Sequence, residues 1–420
     1  MRTHLLLNQS ETLIGKGFEI DDDFKGTKGN NKFTGTSGAD YFNLIQGGND
    51  TATGGAGNDT FAMGAQLTAS DKLDGGADND TVTLDGDYNL VLDGATLQNI
   101  EHISFTAGHD YALTLKDGNV AAGAYIEADA FLNAGDTLVF DAHLETDGHI
   151  YGYFGDENDT VTGGAQNDSF SAYGGDDVFK GGGGNDLFAF NGAMALNGND
   201  KVDGGAGTAN QVAIGGDYSA GVVFKADTLK NIQDLSLSHG SYKLTMNDGN
   251  VAAGATMTID AYLSDHLIFD GSAEKNGHFN IYASKMGDAD LTGCALADLF
   301  SFRNDVVSGA HYNTIHGFDF ALDRIEFATV TGIDGTVTKA KADMATLDAD
   351  LTHNLGVGGA HELGAHHAVI FHVASGTLAN ANFLVVDGDG VAGYSAGHDL
   401  VVRIDGSLHN SSISTSDFTS

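Results

Sequence analysis

The chain has 420 residues, 58 acidic against 19 basic, and a formal charge of −39. That balance excludes a nucleic-acid or anionic-membrane partner, because both need clustered lysine and arginine. Hydrophobic residues make up 41%, glycine fills 60 positions and proline none, which fits dense turns joined to fully bonded strands, since proline cannot donate to a ladder. A compact chain this acidic repels itself, so divalent cations are its natural neutralisers. The one cysteine, Cys294, cannot form an internal disulfide and reads as a small core residue. Stability outside a cell would then have to come from elsewhere, metal above all.

Residues 1–25 read as an N-terminal cap without the long apolar core of a secretory signal peptide, and no segment approaches the length of a membrane span. Nonapeptide units follow over 26–82: GTKGNNKFT, GTSGADYFN, then after Leu44 IQGGNDTAT and GGAGNDTFA, and after an interruption GGADNDTVT. Asp40, Asp50, Asp59 and Asp80 hold the sixth place of their units, whereas Asn31 takes it in the first, where weak or no metal binding is expected. The unit at 54–62 matches G-G-x-G-x-D-x-U-x throughout, with Gly54, Gly55, Gly57, Asp59 and an apolar Phe61. Residues 83–153 are less regular but alternate as strands do in HISF, YALTL and TLVF.

The densest block, within 154–211, opens with four units in unbroken register, FGDENDTVT, GGAQNDSFS, AYGGDDVFK and GGGGNDLFA. Asp159, Asp168, Asp177 and Asp186 recur every ninth residue, each followed two places on by Val161, Phe170, Phe179 or Phe188. A strand sends alternate side chains to opposite faces, so the bulky residue points one way in every unit. The six-residue turn before it needs glycine for its positive φ angles. Calcium takes six to eight hard oxygen ligands, carboxylates and carbonyls alike. One aspartate per loop plus exposed turn carbonyls would supply them, and the pattern is that of calcium-binding parallel β-helices. The expected metal set adds the loop glycines Gly163, Gly164, Gly175, Gly181, Gly182 and Gly184 to the aspartates named.

These units resemble the RTX (repeats-in-toxin) β-roll of bacterial proteins exported by type I secretion. The resemblance implies a right-handed parallel roll with two nonapeptides per turn and several calcium ions, each between loops two repeats apart. Asp159 would then share a site with the loop of Asp177, and Asp168 with that of Asp186. Phe154, Ala172 and Tyr173 depart from the leading glycines, and Glu157 and Asn167 vary the loop.

Residues 212–302 repeat the segment before the block. TLQNIEHISF at Thr96 returns as TLKNIQDLSL at Thr228, DGNVAAGA at Asp117 returns at Asp248, and DGHIYGY at Asp147 returns as NGHFNIY at Asn276, at spacings of 132, 131 and 129 residues. Such a duplication in a one-dimensional stack is expected to build one long solenoid. GDADLTGCALADLFSF keeps Asp298 but few loop glycines, and GGAGTANQV at Gly204 has no aspartate, so little calcium is expected there. From 303 to 420 the chain reads as a capping and export region. TIHGFDFALDRIEF resembles the closing segment of RTX rolls, TKAKADMATLDADLTHNL has helical spacing, and FLVVDGDGVAGY…DLVVRI resembles the C-terminal region of type I substrates.

Catalytic motifs are weak. GYSAG satisfies G-x-S-x-G around Ser395, but a strand rather than a helix follows it. His361, Glu362, His366, His367 and His372 miss the H-E-x-x-H spacing of a zinc protease by one residue. Asp387 and Asp389 resemble the start of an EF-hand loop without its distal glutamate. The four arginines, Arg2, Arg303, Arg324 and Arg403, lie away from the strong repeats, as a polysaccharide lyase would not have them. The expectation is therefore an all-β, calcium-folded, non-enzymatic protein, secreted to the bacterial surface or matrix through the type I machinery and able to assemble with itself. Carbohydrate-binding or polysaccharide-modifying β-helices and adhesin modules are the other classes left open.

Overall fold

In the strand Ser169–Ala172 the side chains of Phe170 and Ala172 are buried while Ser169 and Ser171 are half-exposed. The same alternation fills the strands Asp159–Thr162 and Leu187–Asn191. Each short strand thus commits one face to an interior, and neighbouring strands must cover it. The computed structural model describes residues 4–6, 12–14, 23–283, 287–302, 311–405 and 413–419. Arg2, Arg303 and most of the cap expected over 1–25 lie outside the described residues. The chain is almost entirely β, a parallel β-solenoid with one short α-helix near the C-terminus. It divides into two units, one of residues 1–191 with 199–212 and the other of 192–198 with 213–420.

In the first unit, successive strands alternate between stacks of parallel strands. One stack runs through Tyr41–Asn43, Thr60–Gly64, Thr81–Leu84, His102–Phe105, Tyr125–Ala130, His149–Phe154, Ser169–Ala172 and Leu187–Asn191. Another takes Tyr111–Lys116, Leu138–Leu144, Asp159–Thr162, Val178–Lys180 and Lys201–Asp203. The register sets Phe170 beside Phe188 and Val161 beside Phe179. Repeats two apart therefore lie in adjacent layers, and two nonapeptides make one turn. Phe24, Phe42 and Phe61 stack ring on ring at 4.7 and 4.8 Å, an offset geometry that adds to the area they bury. The inward position of these three adjacent layers is thus an aromatic ladder.

The second unit repeats this plan. Its two stacks run through Ser241–Thr245, His266–Asp270, Asp290–Thr292 and Asn313–His316, and through Thr256–Asp260, His278–Tyr282, Leu299–Ser301 and Arg324–Glu326. The internal duplication shows in matching details. Tyr88 stacks on Tyr111 in the first unit as Tyr218 stacks on Tyr242 in the second. The buried Glu145 and Glu274 each accept backbone amides from the three residues that follow them.

The second unit ends in a cap. The strand Leu400–Asp405 extends one stack in parallel, then Asn382–Val386 and His367–Val373 turn antiparallel to cover it. The α-helix spans Leu347–Leu355 and buries Leu347, Leu351 and Leu355 against Val369, Phe371, Phe383 and Val385. It starts later than its sequence pattern suggests. Thr338 and Lys339 instead finish the strand Gly332–Lys339, paired with His372 and Val373, because strand pairing there outweighs local helical propensity.

Candidate metal centre

The aspartates of the repeats lie in columns just inside the turns, where each loop folds back over its own carboxylate. Along each column the backbone amide of one aspartate donates to the carboxylate of the aspartate one layer on. Asp159 donates to Asp177 and Asp168 to Asp186, both at 2.9 Å. Asp40 donates to Asp59 and Asp59 to Asp80, both at 2.7 Å. The amide of Asn31 donates to Asp50 at 2.7 Å, so the asparagine keeps its place in a column without contributing a charge.

Two column members escaped the sequence reading. Asp71 accepts from the amide of Asp50 at 2.6 Å, and Asp200 from that of Asp177 at 2.7 Å. Both are buried. Their signal was the aspartate–spacer–apolar figure in DKL and DKV, hidden because longer loops without paired glycines precede them. Two columns end on other acceptors, Glu101 beyond Asp80 and Asn210 beyond Asp186.

Hydrogen bonding uses only part of these carboxylates. Oδ2 of Asp59, Asp80, Asp177 and Asp186 and both oxygens of Asp159 are buried without a partner. Orphaned buried oxygens are costly unless something absent from the protein chain satisfies them. The surroundings fit a hard cation. A methyl group on Gly163 would fall 2.1 Å from Asp168 Oδ2 and 2.5 Å from the Gly181 carbonyl oxygen. One on Gly54 would fall 1.9 Å from Asp59 Oδ2 and 2.5 Å from the Gly75 carbonyl oxygen, and one on Gly181 would fall 1.9 Å from Asp186 Oδ2. Carboxylate and carbonyl oxygens from two layers thus converge where the first glycine leaves room. Gly55, Gly57, Gly175, Gly182 and Gly184 serve the turns differently: all have positive φ, and each backs on to main-chain atoms of the preceding layer. Gly164 faces the carbonyl of Glu145.

Electrostatics point the same way. Burial, reinforced by neighbouring carboxylates, pushes Asp168 and Asp177 up to about 8 and Asp59 to about 7. Burial, then Glu157, pushes Asp159 to about 7. Asp50, Asp80 and Asp186 rise to about 6, chiefly by burial. Without a cation these columns hold charge only at a cost; a divalent ion removes both burial and repulsion penalties.

The model of the family described as RTX calcium-binding nonapeptide repeat (4 copies) matches residues 17–44, 46–65, 68–91, 153–188 and 194–208. The chain carries RTX calcium-binding repeats. The matched segments 68–91 and 194–208 take in Asp71 and Asp200, and calcium is the ion that RTX repeats bind. Comparison with curated proteins finds no match to this chain. In the degenerate repeat at 290–298 both oxygens of Asp298 accept amides, from Phe279 and Cys294, as both of Asp168 do from Ile150 and Gly164. Asp323, in the segment that resembles an RTX closure, accepts from the Asp298 amide at 2.9 Å.

The serine and histidine motifs are not brought together as sites. Ser395 sits in a turn: its amide donates to Asp399 and its carbonyl accepts from His398 and Asp399. His367 pairs with Asp334 at 2.6 Å and His372 bonds Asn382, so these two histidines are committed to other contacts. Among the described residues no group with metal-ligand geometry contains these histidines, and no helix is long and apolar enough to cross a membrane.

Gly163→Ala tests the cradle without removing a carboxylate. The added methyl should raise the calcium midpoint for folding of 154–190 about tenfold, measured by circular dichroism in calcium buffers. A midpoint equal to wild type would place the ion elsewhere in the loop.

Proposed function

We propose that this calcium-binding repeat protein is a structural component of a bacterial exterior, exported unfolded through a type I machinery and folded by external calcium. Asp40, Asp50, Asp59, Asp80, Asp159, Asp168, Asp177 and Asp186 are its calcium ligands, completed by carbonyl oxygens of the loop glycines. The observation that carries the reading is the set of buried aspartate columns with unpartnered oxygens. At micromolar calcium or below, ionised columns oppose folding and keep the chain export-competent. At the millimolar calcium outside cells, binding to the folded state alone stabilises it by mass action. Repeats, their duplicated intervening segments and a C-terminal cap make up nearly all of the chain, which supports a scaffold rather than a catalyst. Solenoid ends and faces are the surfaces through which copies would join into a layer or filament.

A carbohydrate-binding role is the second reading, favoured by one outer face. In the first unit Tyr125 stacks on Tyr151 at 5.2 Å, with Tyr153 exposed and Glu127 and Asp129 alongside. In the second unit a concavity of about 420 Å³ is lined by Asp234, Thr258, Asp260, Tyr262 and Tyr282. Exposed rings beside hydrogen-bonding carboxylates suit the faces and hydroxyls of a sugar.

One calcium titration of stripped protein, following circular dichroism and particle size together, separates these readings. Growth of ordered assemblies as β-structure forms is the expected result. Folding to a stable monomer would move the assignment to the glycan-binding face, and no response to calcium would reject both calcium-driven folding and the scaffold built on it.

A further inference from the structure

Outside the repeats, the C-terminal cap contains a second kind of acidic centre. The strands Asn382–Val386 and Leu400–Asp405 pair antiparallel up to Val386 and Leu400. The next residues on either side, Asp387 and Asp399, therefore face each other at the mouth of the connecting loop. Both are completely buried. Asp389 is in the same loop, and one carboxylate oxygen from each of the three lies within 4.8 Å of the others.

Their hydrogen bonds hold them in place without neutralising them. Asp399 Oδ1 accepts the Gly388 amide at 2.9 Å and Oδ2 the Ser395 amide at 2.7 Å. Asp389 Oδ1 accepts the Val391 amide at 2.8 Å. Asp387 Oδ2 accepts the His366 amide at 2.5 Å, while Asp387 Oδ1 is buried with no partner. The basic group acting on Asp387 is His366, and its ring packs against Gly390. Burial and the adjacent carboxylates raise Asp387 and push Asp399 up to about 6. A backbone that spends several amides on holding three carboxylates close together, and leaves one buried oxygen without a partner, is built for a third party.

Among the described residues, the two other acidic groupings lack this signature. Both oxygens of Glu145, beside Asp117 and Asp147, are taken up by backbone amides, and His102 already pairs with Glu127 at 3.1 Å. Calcium–oxygen distances of about 2.3–2.6 Å let ligands on opposite sides of one ion stand roughly 5 Å apart, and the three carboxylate oxygens lie within that span. An all-oxygen, triply acidic set selects a hard cation over zinc.

We propose that Asp387, Asp389 and Asp399 form a calcium site, separate from the nonapeptide repeats, that locks the loop of the C-terminal cap. The loop carries Tyr394, whose hydroxyl donates to Asp348 on the helix at 2.8 Å. An ion at the loop mouth therefore ties the hairpin and the helix together, and closing the cap becomes calcium-dependent.

The test is hydrogen–deuterium exchange of the full chain along a calcium titration, reading the segments 382–405 and 154–190 separately in wild type and Asp389→Asn. Asp389 is exposed, and asparagine can still accept the Val391 amide, so the substitution removes charge and little else. The expected result is a calcium midpoint for 382–405 raised at least tenfold in Asp389→Asn while that of 154–190 is unchanged. An unchanged midpoint for 382–405 overturns the site. So does a wild-type 382–405 segment that ignores calcium and is protected by acidification alone, which would mean the carboxylates share a proton. The wild-type titration decides the matter if the variant does not fold. A response of 382–405 without one at 154–190 would sustain this site while rejecting calcium binding by the repeats.

Discussion

Replacing Asp168 and Asp186 together by alanine is expected to raise the calcium concentration that folds 154–190 by at least tenfold, with a larger loss of stability in calcium than without it. The two residues belong to one column, joined by the Asp168 amide and Asp186 Oδ1. Each is buried, so each ion–carboxylate bond that alanine removes is a desolvated one. A tenfold change corresponds to about 1.4 kcal/mol, which is modest beside the ~1.5–3 kcal/mol of a single charged hydrogen bond. The column of Asp159, Asp177 and Asp200 stays intact, so the calcium response should weaken rather than vanish. The second half of the expectation separates ligation from mere packing. If these aspartates served only as hydrogen-bond acceptors for the turns, alanine would destabilise the chain with and without calcium. As ligands they also hold the ion, so the loss in calcium exceeds the one that orphaning the Ile150, Gly164 and Asp168 amides causes in the ion-free fold. Circular dichroism in buffered calcium, run from chelated to millimolar, reads both effects; equal midpoints for variant and wild type would reject the pairing of these layers around an ion.

The nine-residue period made most of this legible. A bulky residue every ninth position demands a common interior, and glycine-rich loops of one length demand a common turn, so the stacking of Val161 on Phe179 and Phe170 on Phe188 follows from register alone. The columns follow too, because an aspartate fixed relative to each strand must recur at each layer. What escaped was whatever depends on loops of other lengths. Asp71 and Asp200 enter the columns after connections that break the period, although the strand figures DKL and DKV were present. Asp399 could not be connected to Asp387 from sequence, because the hairpin that brings them together is a tertiary event with no ligand spacing of its own. The helix start was misplaced for a related reason: Lys339 has helical neighbours in sequence but Val373 beside it in space. Local pattern decides where period and contact agree, and tertiary pairing decides elsewhere.

Stripped of calcium, the protein is expected to be more stable at pH 5 than at pH 8, and in millimolar calcium the order should reverse. In the ion-free fold Asp168 and Asp177 titrate near 8, Asp159 near 7 and Asp186 near 6, against 3.8 for an unburied aspartate. Between those limits the folded chain holds protons that the unfolded chain has released. Stability must then fall as pH rises, most steeply between the unfolded value and the lowest folded one, and level off above the highest; it is fully present only below the unfolded one. Calcium inverts the sign. The ion needs the ionised carboxylates, so below pH 8 it competes with protons, and its apparent affinity climbs as they leave. Thermal melts in resin-stripped buffer should show a midpoint higher at pH 5 than at pH 8 by on the order of 10 °C, with the opposite order once calcium is added. Melts of the stripped protein that rise with pH would mean the columns are not buried together before the ion arrives. Folding and ion binding would then be a single event, and the aspartates would meet only around the calcium itself.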